Sequence, residues 1–167
     1  MSLPKPAFRV ATASDGGDGD TPSSMTGLRW SFVLQTPHTG SHLIVQTARS
    51  EHNQLKFKLP QVTRVRYFSK PEDTLREMLA TPPFTVVGAT DITLLGISAS
   101  LRAFPPQGFR EENVLEIIYV HAMLDTAQTF TNNDFLKWMN PQDLLEYCQS
   151  YRHAHYRRVL KLFGLLS

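Results

Sequence analysis

The side chains that could bind a metal or act as a nucleophile are few and poorly spaced for either task. His153 and His155 are two residues apart in a segment with helical periodicity, so they do not share a helix face. His121 and Cys148 could complete a zinc set only from elsewhere in the chain, and no Cys-x-x-Cys pair is present. The sequence therefore predicts no metal site.

Motifs for nucleophilic or phosphate chemistry are also missing. Cys148 has apolar neighbours at helical spacing, which favours a small buried hydrophobe over an activated thiolate. The chain contains no Gly-x-Ser-x-Gly, no Gly-x-x-x-x-Gly-Lys and no Gly-x-Gly-x-x-Gly. Glu111, Glu112 and Glu116 resemble an acidic helix start more than a convergent pair. We therefore predict no catalytic residue and no cofactor.

Basic residues give the best candidates for binding an anion. Four of them fall on one phase of a period-two pattern: Lys56, Lys58, Arg64 and Arg66. If both segments belong to one sheet, these cations share a face that could contact phosphate groups of RNA. A second basic group lies near the end of the chain: Arg152, Arg157, Arg158 and Lys161. RNA-binding sheets also carry aromatic residues on that face for base stacking, but Phe57 and Tyr67 fall on the opposite phase. The alternative is therefore a solvated sheet face whose charges prevent edge aggregation.

The last 28 residues predict a long amphipathic helix. Asn140 is a typical N-cap, and Pro141 occupies the first helical position. Apolar and aromatic residues then recur at spacings of three and four, and they define a predicted interface seam: Leu144, Cys148, Tyr151, His155, Val159, Leu162, Phe163 and Leu166. This seam could pack on a partner protein, lie on an anionic membrane surface, or pack in the chain's own core.

Period-two segments before residue 104 predict an antiparallel sheet of about four or five strands. Alternation at Trp30, Phe32 and Leu34 and a second alternating run after the turn at 36–40 indicate a β-hairpin. Strands are also predicted around 55–67, with a bend at Pro60, and around 93–101. Thr85, Val86 and Val87 are β-branched residues, which are enriched in strands.

Helical signals interrupt this sheet once and dominate after residue 110. Ser69 and Glu72 form a capping box that opens a helix running to about Ala80. Residues 111–124 have helical spacing, although the β-branched run 117–120 leaves a buried strand as the alternative. A short helix is predicted from Thr131. The predicted fold is therefore α+β, with residues 27–104 mainly β and residues 110–167 helical.

Composition and charge place the chain among intracellular globular proteins. The single cysteine, Cys148, excludes an intrachain disulfide and favours a reducing compartment, with mitochondria as one candidate, and no secretory signal or transmembrane segment is expected. Residues 1–26 form a Gly-, Ser- and Asp-rich tail that cannot bury a core. Residues 26–110 carry ten Lys/Arg against five Asp/Glu, residues 111–146 one against seven, and residues 147–167 four against none. Such separated charge indicates faces that meet each other or water, or a basic face that meets an anionic partner.

These features together predict a non-catalytic structural or accessory subunit of a large multi-protein assembly, such as a mitochondrial complex or a virus or phage particle. The chain would contact other protein subunits through its N-terminal tail and C-terminal helix. An RNA-binding component of a ribonucleoprotein, using the basic sheet face, is the first alternative. A small enzyme with an unrecognised site is the second.

Overall fold

Seven strands in two β-sheets form the centre of the computed structural model, which describes residues 28–65, 70–103, 115–126 and 129–167. The strands are β1 (Leu28–Gln35), β2 (Leu43–Glu51), β3 (Gln54–Lys58), β4 (Gln61–Val65), β5 (Ala89–Ala103), β6 (Leu115–Thr126) and β7 (Leu136–Met139). The first sheet has the order β4-β1-β6-β5 and the second β3-β2-β7. Strands β1 and β6 run parallel, whereas all other neighbours are antiparallel.

Within the described residues, three α-helices cover the two faces of these sheets. They are α1 (Pro71–Leu79), α2 (Pro141–Tyr147) and α3 (Ser150–Leu162), and a one-turn 3-10 helix spans Phe84–Val87. Helix α1 packs with one face of β1 in a first hydrophobic cluster. Helices α2 and α3 pack with the other face in a second cluster. The described part of the chain therefore has three layers, helix, sheet and helix.

Strand β1 carries side chains of both clusters. Trp30, Phe32 and Leu34 point toward α1, as the period-two pattern predicts, and Val33 points toward α3. Ser31 is buried as well. Because β1 lies between β4 and β6 and is covered on both faces, its polar phase is buried too.

The predicted hairpin of β1 and β2 is wrong, although both strands exist. Both edges of β1 are occupied, by β4 and β6, while β2 pairs with β3 and β7 in the other sheet. The turn after β1 is closed by Thr39 N–H donating to Thr36 O at 3.3 Å. The chain therefore leaves one sheet and enters the other at this turn, as it does again at Pro60, where two short strands meet at the predicted bend.

The predicted helical C-terminal half, residues 110–167, is also wrong. Residues 115–126 form β6, which lies between β1 and β5 with Ile117, Ile118 and Val120 buried on its two faces. A strand buried on both faces has apolar residues on both phases, and such a continuous run also satisfies the spacing of an apolar helix face. Residues 104–114, where the helix was predicted to start with Glu111 and Glu112, lie outside the described residues.

The short helix predicted from Thr131 is replaced by a turn and strand β7. Asn133 Oδ1 accepts from the backbone N–H groups of Phe135 and Leu136 at 2.7 and 2.9 Å. Asn132 Oδ1 accepts from Trp138 N–H at 2.9 Å. Asparagine side chains thus take the donors that a helix would have used, and they favour a turn. The α+β composition is consistent with the prediction, but the second half contributes strands as well as helices.

The single long C-terminal helix is broken into two. Asn140 is the N-cap of α2 as predicted, and its Oδ1 accepts from Asp143 N–H at 2.8 Å. Cys148 and Gln149 then adopt extended conformations, with ψ of 164° and 146°. Glu51 accepts from the N–H and Oγ of Ser150 at 3.2 and 3.1 Å, and so supplies the acceptor for the start of α3. No helix within the described ranges is long and apolar enough to cross a membrane.

The inserted helix is confirmed, with two local differences. Helix α1 begins at Pro71, and its N-cap Lys70 makes no side-chain cap bond, while Ser69 lies outside the described residues. Leu75 and Met78 are buried, as the spacing predicts. The β-rich triplet Thr85–Val87 forms the 3-10 helix instead of a strand, and Gly88 follows it with φ of 61°.

Candidate functional site

Most of the predicted interface seam lies in the chain's own second cluster. Leu144, Cys148 and Val159 are buried there. The break at residues 148–149 rotates α3, so Tyr156 and Leu160 take the buried positions, while Tyr151 and His155 are half-buried. Toward the chain end, Leu162 is 61% exposed. Phe163 and Leu166 pack at the edge of the cluster, and contact of this end with a partner stays a prediction.

Burial outweighs the nearby cations Arg152 and Lys56 at Cys148, so its thiolate is not favoured. Its Sγ donates to Leu145 O at 3.6 Å, and burial raises the pKa of the Cys148 thiol to about 11. The thiol is therefore protonated at neutral pH, and thiolate chemistry at this position is disfavoured.

An open pocket of about 290 Å³ lies beside the C-terminal half of α1. It is lined by Arg76, Leu79, Ala80, Thr85, Gly88, Ala89 and Ile92. Arg76 Nη2 contacts Glu72 Oε2 at 3.5 Å, and both side chains are about half exposed. An exposed ion pair of this kind contributes at most about 1 kcal/mol, so Arg76 can exchange Glu72 for another anion at little cost.

The carboxylates of α1 do not form a metal site with other described residues. Glu72, Asp73 and Glu77 provide the hard oxygen ligands that Mg²⁺ prefers. Within the described ranges, however, no three His, Cys, Asp or Glu residues lie close enough together to hold a metal ion. These residues by themselves therefore do not fit a resident divalent cation, and we derive no chemical step through one.

The four residues of the predicted basic sheet face do not share a sheet. Lys56 and Lys58 lie on β3, and Arg64 lies on β4 in the other sheet, while Arg66 is outside the described residues. The Nζ of Lys56 donates to Gln54 Oε1 at 2.9 Å. The predicted common face required both segments to belong to one sheet, and this requirement is not met. On α3, the side chains of Arg157, Arg158 and Lys161 are exposed, whereas Arg152 is half-buried.

A different basic cluster forms where β1, the end of β3 and the start of α3 meet. It consists of Arg29, Lys58 and Arg152, and we call it the α3 cation cluster. Burial lowers the pKa of Arg29, and the charge of Arg152 lowers it further. Burial also lowers the pKa of Lys58, followed by the charges of Arg152 and Arg29. Burial works against the charge of Arg152, but Tyr156 and Tyr151 outweigh it and raise the pKa of Arg152. Arg29 and Lys58 are therefore the two members whose charge the cluster disfavours.

Sequence reasoning missed Arg29 and Arg76. Arg29 lies between apolar residues on a strand, where a cation would ordinarily mark the solvated face. Only the arrangement of β1 between two strands and under α3 shows that this phase is largely enclosed. Arg76 is an ordinary helix residue in sequence. The pocket beside it depends on how the chain after α1 returns to β5, which no local motif indicates.

His121 is a buried neutral histidine with a defined tautomer. Gln35 Nε2 donates to Gly40 O at 3.1 Å, which leaves Gln35 Oε1 as the acceptor for His121 Nε2 at 2.6 Å. The Nε2 atom of His121 therefore carries the proton. The ring of Phe163 lies against the imidazole, with ring centroids 5.0 Å apart. Burial lowers the pKa of His121 below its ordinary value of 6.5.

We expect the stability of the protein to fall as pH decreases below about 6.5. The unfolded chain binds a proton at His121 that the folded protein binds only at lower pH, so acid stabilises the unfolded state. The slope for one such proton is at most about 1.4 kcal/mol per pH unit, and it ends below the folded-state pKa. Urea unfolding of His121→Gln between pH 5 and 8 should give a smaller slope than wild type. His153→Gln, at an exposed position, is the matched control; an equal slope in wild type and His121→Gln would contradict the prediction.

Solved structures with this arrangement of sheets and helices include three hydrolases. The Nudix hydrolase RenU from M. smegmatis superposes with a TM-score of 0.54, over 84% of this chain and 88% of its own, at 16% identity. The C. elegans Ap4A hydrolase superposes with a TM-score of 0.54, over 83% of this chain and 98% of its own, at 13% identity. A possible asymmetric diadenosine tetraphosphate hydrolase from Jonesia denitrificans superposes with a TM-score of 0.53, over 84% of this chain and 96% of its own, at 14% identity. No family model and no curated protein sequence matches the chain.

The chain therefore has a Nudix-like fold. This finding corrects the functional prediction made from the sequence. The expected non-catalytic structural subunit of a multi-subunit complex was wrong, and so was the expectation that the chain is not an enzyme, because the fold is one found in hydrolases. The absence of short motifs misled the prediction, since this fold was recognisable only in three dimensions.

Proposed function

We propose that the protein is a hydrolase that cleaves a phosphoanhydride bond of a nucleoside polyphosphate. The observation that carries this proposal is the likeness of the fold to an Ap4A hydrolase and to a protein described as a possible Ap4A hydrolase. Each superposes over more than four-fifths of this chain with a TM-score above 0.5. Identity is 13–14%, so the substrate class is our inference for this chain.

The pocket beside α1 is our candidate for the site where the phosphates bind. Its volume of about 290 Å³ lies at the lower end of the range for small-molecule sites. A pocket of this size suits a diphosphate portion of the substrate, with the nucleoside extending outside. Arg76 is the charged residue in its wall, and Thr85 adds a hydroxyl.

Arg76 and Glu72 have complementary roles in this proposal. A guanidinium binds two phosphate oxygens through parallel hydrogen bonds and stabilises the charge that develops during phosphoryl transfer. When phosphate replaces Glu72 as the partner of Arg76, the freed carboxylate can accept a proton from a water molecule. The water oxygen then bonds to phosphorus, the bridging P–O bond breaks, and the second phosphate leaves as an anion.

The full-length chain should be assayed with diadenosine tetraphosphate, ATP and ADP, with separation of the nucleotide products by chromatography. Each substrate should be tested with Mg²⁺, with Mn²⁺ and with a chelator, because divalent cations neutralise phosphate charge during phosphoryl transfer. We expect release of mononucleotide products from at least one substrate. A purified, folded chain that leaves all three intact under all three conditions would contradict the proposal.

A further inference from the structure

The α3 cation cluster lies on the opposite face of the first sheet from the α1 pocket. Helix α1 packs on the face of β1 that carries Trp30 and Phe32, whereas α3 packs on the face of Val33. An inference about this cluster is therefore independent of the proposed hydrolase activity.

Hydrogen bonds hold the cluster's parts in place. Arg152 Nη1 donates to Gln61 Oε1 at 3.2 Å, and Arg152 Nε donates to Gln149 Oε1 at 3.1 Å. Gln61 is the register partner of Ser31, two residues along β1 from Arg29 and on the same phase. These bonds fix the Arg152 guanidinium over β4, beside the part of β1 that carries Arg29.

The third cation is fixed through its neighbour in the chain. Leu59 N–H donates to the hydroxyl of Tyr156 at 3.0 Å, in the interior of the second cluster. Lys58, directly before Leu59, is thereby held beside the first turns of α3. Three cations from three different elements thus converge at positions set by packing and hydrogen bonds.

No carboxylate of the described residues forms an ion pair with these cations; the nearest one named above, Glu51, is bound to Ser150. Among the described residues, the only ion pair is that of Arg76 with Glu72, and the buried Nε of Arg29 has no hydrogen-bond partner.

Tyr119 and Tyr156 carry no negative charge at pH 7, because burial raises the pKa of both phenols. The ring of Tyr151, with its centroid 4.9 Å from Arg152 Cζ, makes a cation–π contact with Arg152 alone. Enclosing like charges without a counter-charge is costly.

Bound phosphate would remove this cost. A phosphate dianion has oxygens for several donors, and the planar guanidinium groups of Arg29 and Arg152 suit it geometrically, while Lys58 adds a point charge. Carboxylates carry one charge and two oxygens, which leaves part of the cluster unsatisfied.

We propose that the half-buried residues Arg29, Lys58 and Arg152 form a binding site for a phosphate dianion. The ligand is either inorganic phosphate or the phosphate monoester of a nucleotide, since the three cations recognise the group common to both.

Titration calorimetry of the full chain with inorganic phosphate and with AMP tests the site, in chloride buffer of constant ionic strength. We expect saturable binding, and a rise in Tm with phosphate that an equal ionic strength of chloride does not produce. Equal affinities would identify the phosphate group alone as the ligand, and tighter binding of AMP would add the nucleoside; both support the site. Neither ligand contains a phosphoanhydride, so failure here is separate from failure of the hydrolase proposal.

Variants separate a binding site from a structural cluster. Arg29→Gln should weaken phosphate binding by about tenfold or more, and Tm without phosphate should stay equal or rise, because a like-charge repulsion is removed. Lys58→Gln, at the half-buried end of β3, should behave similarly and covers the case in which Arg29→Gln does not fold. Arg157→Gln, which removes an exposed cation from the same helix, should bind phosphate as wild type does.

Three results would overturn the proposal. The first is no binding of either ligand by the wild-type chain. The second is binding that both Arg29→Gln and Lys58→Gln retain in full. The third is tight, salt-dependent binding of a single-stranded RNA without binding of either small ligand, which would assign these cations to a nucleic-acid surface.

Discussion

Replacing Arg76 by glutamine is expected to reduce nucleoside polyphosphate hydrolysis by about 10²–10³-fold, the usual loss for one group that stabilises transition-state charge. Arg76 is the charged residue in the wall of the α1 pocket, and it is held only by an exposed contact to Glu72. Its removal costs at most about 1 kcal/mol of stability, so lost activity will not reflect unfolding. Steady-state rates and Tm of the same preparations measure both quantities.

Two further variants show whether the effect depends on the guanidinium and on this position. Arg76→Lys keeps the charge but loses the planar pair of donors, so its activity should fall between those of wild type and Arg76→Gln. Arg157→Gln removes an exposed arginine from α3 and should leave the rate unchanged. Hydrolysis that Arg76→Gln supports at the wild-type rate would exclude the α1 pocket as the reaction site.

Local signals in the sequence predict elements well where one side chain determines the backbone. Asn140 followed by Pro141 predicts a helix start, and the observed bond from Asp143 N–H to Asn140 Oδ1 confirms it. Pro60 predicts a bend between two short strands, and the structure has one there. In both cases the cause acts within a few residues, so no knowledge of the distant chain is needed.

Elements whose pattern depends on distant neighbours are the ones that sequence analysis assigned wrongly. Strand β6 lies between β1 and β5, and helices cover both of its faces. Its apolar residues therefore occur on both phases, which gives the run helical spacing. The predicted long helix breaks at Cys148, whose backbone forms an isolated parallel β-bridge with Phe57, some ninety residues earlier. Glu51 then provides the acceptor at the start of α3. These contacts are absent from any window of the sequence.

The candidate sites show the same limit more strongly. Lys58 and Arg152 were predicted as anion contacts, but in two separate groups, and Arg29 was in neither. Their convergence depends on the passage from β3 to β4 under α3, which the Tyr156–Leu59 bond stabilises. Periodicity assigns a residue to a phase of its own strand, yet it does not show which elements meet there.

Replacing Tyr156 by alanine is expected to destabilise the protein by about 3–5 kcal/mol, as for other large aromatic side chains in a core. Tyr156 is 1% exposed, and its ring packs edge-on against Tyr119 with centroids 6.4 Å apart. Its hydroxyl accepts from Leu59 N–H at 3.0 Å. The alanine variant loses the packing and the hydrogen bond together. Urea unfolding at pH 7 measures the change.

Tyr156→Phe separates these two contributions. It keeps the ring but leaves the buried Leu59 N–H without an acceptor, which costs about 1–3 kcal/mol. Leu162→Ala, at a side chain that is 61% exposed on the same helix, should change stability by less than about 0.5 kcal/mol. A large loss of stability in Tyr156→Ala, together with a negligible change in Leu162→Ala, would show that α3 is anchored in its own core through the face of Tyr156. Equal small effects at both positions would mean that α3 is not anchored there, and the α3 cation cluster would lose the framework that holds it.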